Sequence, residues 1–68
     1  MKEKLLKALI SHYKAQKSEA LAIIDLYLNN SRGIGEHSDI LEELKQWTTK
    51  LSEAQDNLTI LEKYFVEK

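Results

Sequence analysis

Apolar side chains return at helical intervals in two long segments, separated by one polar, glycine-containing stretch. From about residue 2 to residue 29, Leu6, Ile10, Tyr13, Ala20, Ile24 and Tyr27 follow at spacings of three, four and seven, the period that gathers side chains on one helix face. The position expected between Tyr13 and Ala20 is filled by Gln16 or Lys17, a polar interruption of the stripe. The second segment, about residues 38 to 67, is more regular. Its Ile40, Leu44, Trp47, Leu51, Ala54, Leu58, Leu61 and Phe65 alternate four and three without a miss, which is a heptad seam. Strong helix formers dominate both segments and proline is absent, so the reading is all-α. At 1.5 Å per residue a helix of about 28 residues is a rod roughly 40 Å long, and neither rod can bury its stripe alone.

Both glycines lie in the turn at about residues 30 to 37, within "NNSRGIGEHS". Asn29 or Asn30 can take the left-handed conformation that ends a helix, and Gly33 and Gly35 permit positive φ. Ser38 or Asp39 can accept hydrogen bonds from the free N–H groups of the next helix, and Asp39 with Glu42 has capping-box spacing. Glu36, Asp39, Glu42 and Glu43 place negative charge near the positive end of that helix. Ile34, between the glycines, is expected to fold back onto the helix ends. A reversal near Gly33 and Ile34 sets residues whose numbers sum to about 67 against each other. Leu6 then meets Leu61, Tyr13 meets Ala54, Ala20 meets Trp47 and Tyr27 meets Ile40, an alternation of large and small that suits an antiparallel seam. Trp47, opposite small Ala20, is expected to be substantially buried.

Apolar residues remain outside this seam: Leu5, Leu9, Leu21, Ile23, Leu26 and Leu28 in the first segment, and Leu41, Ile60, Tyr64 and Val66 in the second. A lone antiparallel two-helix hairpin, coiled-coil-like, leaves many of them in water. Dimerisation of two hairpins into a four-helix bundle covers them, at about 25 cal/mol per Å² of apolar surface. Size points the same way. One domain of 68 residues buries a small share of its surface, and with no cysteine there is neither a disulfide nor a thiolate metal site to help. A homo-oligomer, with the dimer favoured, is the expected route to stability.

Charge changes the picture less. The chain carries a formal net charge of -1, which excludes a polyanion mimic and a generic nucleic-acid binder. Residues 1–32 hold six Lys/Arg against three Asp/Glu, net +3, and residues 33–68 hold four against eight, net -4. A basic helix beside an acidic one favours pairing of the two within a hairpin. Lys2, Lys4, Lys7, Lys14 and Lys17 crowd the start of the first helix, so a nucleic-acid accessory role, with Lys7, Lys14 and Lys17 as contacts, is the alternative to a protein-binding role. Arg32 is the lone arginine and the neighbouring helix is acidic, so a solvated helix face is the preferred reading of these lysines.

Chemistry has little to work with. Glu36, His37 and Asp39 are the nearest approach to a metal set, but no helical His-x-x-x-His pair supports one, and no metal or other cofactor is expected. The serines lack a G-x-S-x-G context, and "GIG" lacks both a preceding strand and a following G-K-[ST]. No enzyme is expected. No apolar run approaches the roughly 20 residues that span a bilayer, and "MKEKLLKALISHYK" is broken by polar residues, unlike a signal-peptide core. The expectation is a cytoplasmic protein with no membrane partner. Ile34, Glu36 and His37 sit at the tip of the turn, where a scaffold displays what it offers to others, and form the candidate partner-binding site.

The run "LYLNNSRGIGEHSDILEELKQWTTKLSEAQDNLTILEKYF" covers a little over half the chain. It resembles small uncharacterised helical proteins of T4-like tailed phages, marine ones especially, in its G-I-G-E-H-[PS]-D-I turn between two helices. Ser38 stands where proline is usual in those proteins, and "AQDNL" (Ala54 to Leu58) stands for their A-x-D-K-L-like segment. The resemblance implies a viral accessory protein or small assembly component in the host cytoplasm, with a host or phage protein as its possible partner, and implies no biochemical activity.

Overall fold

The computed structural model describes residues 2–29 and 39–66. Helix α1 runs Lys2–Asn29 and helix α2 runs Asp39–Tyr64, and the two pack against each other along their length. Among the described residues there is no strand. The expected turn, with Ile34, Glu36 and His37, lies outside the described residues.

The first helix spans the expected residues. The described part of the second begins at Asp39, and it ends earlier than expected: after Tyr64 the chain continues as turn and bend through Phe65 and Val66. Phe65 still donates its backbone N–H to Leu61 O at 2.9 Å. Gln16 Nε2 donates to Lys50 O across the helices at 3.1 Å, so opposed residues sum to about 66. Phe65, read as the last seam residue, lies in the turn after α2 and is 56% exposed, although it lines a groove with Leu5, Leu6 and Leu9.

The seam itself is where the periodicity places it. Leu6, Ile10, Tyr13, Ile24 and Tyr27 on α1 and Ile40, Leu44, Trp47, Leu51 and Leu61 on α2 are half-buried, while Ala20, Ala54 and Leu58 are buried. The two fully covered residues are the two alanines. Small side chains let the helix axes approach, and the register sets large Trp47 and Tyr13 across from them. Trp47 is half-buried rather than substantially buried. A hairpin has no third layer, so a ring that large overhangs a two-helix seam, and Lys50 Nζ covers it at 4.3 Å from the ring centroid.

The polar interruption of the α1 stripe is real and is satisfied. Gln16 and Lys17 are both half-buried, and the Lys50 carbonyl supplies a spare lone pair to Gln16. At the α1 end, Asn29 remains helical and its Nδ2 reaches back to Asp25, 2.9 Å from the carbonyl oxygen and 2.6 Å from Oδ1. At the α2 start, Glu42 accepts from Lys45 Nζ at 3.2 Å. Its carboxylate is thus engaged one turn onward rather than with Asp39 as a capping box. That Lys45–Glu42 pair lies within one helix, and among the described residues no ion pair joins α1 to α2.

Candidate interaction surface

The hairpin has two sides, and the Gln16–Lys50 bond tells them apart. Around α1, the column Lys2, Leu9, Gln16 and Ile23 flanks the seam on the side where, on α2, the column Glu43, Lys50, Asn57 and Tyr64 does the same. One step further out lie Leu5, His12, Glu19 and Leu26 on α1 and Asp39, Gln46, Glu53 and Ile60 on α2. The opposite side carries Lys7, Lys14, Leu21 and Leu28 on α1 and Leu41, Thr48, Gln55 and Glu62 on α2.

The lysine side holds a groove of about 340 Å³ lined by Lys14, Lys17, Ser18, Leu21, Gln55, Leu58 and Glu62. Lys14 and Lys17 are therefore brought together, and Lys7, exposed and one heptad before Lys14, is outside the groove. Glu62 in the same lining opposes a polyanion there.

The other side is the apolar one. Leu5 (64%), Leu26 (53%), Ile60 (49%), Tyr64 (66%) and Leu9 (41%) are exposed, and Ile23 is half-buried. At the open end of the hairpin, Leu5, Leu6 and Leu9 line a groove of about 280 Å³ with Lys2, Leu61 and Phe65. Beside the leucines runs a column of exposed small residues, Ala8, Ala15 and Ala22, spaced by sevens. Reading the sequence as a seam plus surplus apolar residues finds these side chains but not their gathering on one side; the i, i+4 pairs Leu5/Leu9 and Ile60/Tyr64 were its signal. His12 is exposed, with its ring edge-on to Tyr13 at 4.9 Å between centroids.

Among the described residues no three His, Cys, Asp or Glu side chains gather as a metal site, and no helix is long and apolar enough to cross a membrane. What the surface offers is apolar area on a rigid two-helix frame. Compared with family models, curated proteins and solved structures, the chain matches none.

Proposed function

We propose that this protein is a non-enzymatic helical interaction and assembly module that works as a homodimer, two hairpins forming a four-helix bundle. One observation carries the reading. Among the described residues ten large apolar side chains are at least 38% exposed, far more than scattered surface leucines account for in so small a chain. Area agrees. A compact monomer of this mass exposes about 4,400 Å² by surface scaling, whereas this chain exposes 5594 Å². The excess, about 1,200 Å², exceeds the roughly 800 Å² that each partner buries in a standard interface. The radius of gyration, 15.3 Å, against about 11 Å for a compact 68-residue domain, is that of an elongated rod, whose long flanks can take a neighbour.

The resemblance of the turn sequence to tailed-phage proteins supports an accessory or assembly role in the cytoplasm of an infected host. A second reading, nucleic-acid association through Lys7, Lys14 and Lys17, is favoured only by the meeting of Lys14 and Lys17 in one groove. Sedimentation from submicromolar to about 100 µM protein tests the first reading, since standard-size interfaces reach micromolar affinity or better. Twice the 7.9 kDa chain mass is the expected plateau, and 7.9 kDa throughout overturns it. A salt-dependent shift of DNA or RNA, lost when Lys7, Lys14 and Lys17 become Glu, would select the second.

A further inference from the structure

We infer that the outward stripe of α1, from Leu5 to Leu26, is the dimer interface, and that it pairs antiparallel with the same stripe of a second copy. The Asn29 ends of the two α1 helices then lie at opposite ends of the dimer. The inference rests on the dimer reading above and adds its face and direction.

The ground is a two-fold pattern in the stripe itself. An isologous contact requires that if residue i touches j, then j touches i, so for two antiparallel α1 helices the paired numbers have a constant sum. With a sum of 31 the stripe complements itself throughout: Leu5 meets Leu26, Ala8 meets Ile23, Leu9 meets Ala22, His12 meets Glu19 and Ala15 meets Gln16. Each alanine faces a larger side chain, the alternation that lets two helices interlock closely. The one charged residue of the stripe, Glu19, faces the one imidazole. All of these are exposed in the single hairpin except Gln16 and Ile23, which are half-buried.

One further observation fits. Lys4, Lys7, Lys14 and Lys17 occupy other columns of α1, so two net-basic helices can meet here with only Lys2 at the margin. The open-end groove beside Leu5 and Leu9 receives Leu26 of the second copy.

Cysteine placement tests direction and register, because the chain has no cysteine of its own. Ala15 lies at the two-fold, so Ala15→Cys should oxidise to a disulfide-linked dimer. Ala8 lies far from its own copy, about 22 Å along the axis, beyond the roughly 7 Å between Cα atoms that a disulfide bridges. Held at the high effective concentration of a contact, Ala15→Cys should crosslink at least about tenfold faster than Ala8→Cys. Ala8→Cys mixed with Ala22→Cys should give the mixed dimer, and circular dichroism should show each exposed substitution leaving the helices intact. If wild-type protein sediments as a dimer but Ala8→Cys crosslinks to itself as fast as Ala15→Cys, or neither crosslinks, this face and direction are overturned while the dimer stands. A monomer at all concentrations removes both.

Discussion

Two apolar stripes lie side by side on α1. One, from Leu6 to Tyr27, is covered by α2, and the other, from Leu5 to Leu26, is exposed or half-exposed. Their residue types overlap, each mixing leucine or isoleucine with alanine, though the first has one polar interruption and the second carries His12, Gln16 and Glu19. The first is covered because the chain itself delivers a partner helix at high effective concentration, joined to α1 within the same chain. No segment among the described residues is placed to cover the second. The contrast shows that residue type decides what a helix face can do, while connectivity decides which face is satisfied within one chain.

Perturbing the covered stripe should give the largest effect. Leu58 is 4% exposed, and Leu58→Ala should destabilise the protein by about 2 to 5 kcal/mol, read by thermal or urea unfolding followed by circular dichroism. A loss below about 0.5 kcal/mol, the size of an ordinary surface change, would deny that the seam is the core. Trp47→Ala should cost less, about 2 kcal/mol, because the ring is only half-buried and a full core value does not apply. Native tryptophan emission should fall between the buried and solvated limits, and a fully solvated spectrum would remove Trp47 from the seam.

Smaller changes sharpen the contrast. Gln16→Leu removes a cross-helix hydrogen bond but leaves the Lys50 carbonyl free to bond within its own helix. Hairpin stability should therefore change by less than about 1 kcal/mol, and a loss above about 2 kcal/mol would mean that this bond governs register. Smallest of all, Glu42→Gln breaks the Lys45 pair, whose side chains are 62% and 64% exposed. Its cost should be a few tenths of a kcal/mol, about the value of an exposed helical pair, and should fade in high salt.

The contrast also marks how far the sequence could be read. The limits of α1, the seam positions from Leu6 to Leu61 and the antiparallel register near a sum of 67 were legible, because helical periodicity states directly which side chains share a face. Trp47 and Phe65 were read as more buried than they are. Periodicity gives a direction, but covering a large ring needs a layer that two helices do not supply, and Phe65 lies past the end of α2, where helical periodicity no longer sets its direction. The charge asymmetry of the two halves was legible as numbers; among the described residues no ion pair joins the helices, Glu62 of α2 shares the groove of Lys14 and Lys17, and Asp39, Glu43 and Glu53 lie on the other side. The gathering of Leu5, Leu9, Ile60 and Tyr64 depends on which flanks share a side, and that needed the Gln16–Lys50 bond.

The central claim, that a second copy covers the outward stripe of α1, is tested most directly by methyl accessibility to a soluble paramagnetic probe, measured as protein concentration rises. The methyl groups of Leu5, Leu9, Ile23 and Leu26 should relax strongly in dilute protein and approach the protection of Leu58 as dimer forms, while Leu21 and Leu28 on the opposite side of α1 stay accessible. Outward-stripe methyls that remain as accessible as Leu28 when the protein is fully dimeric would contradict the account.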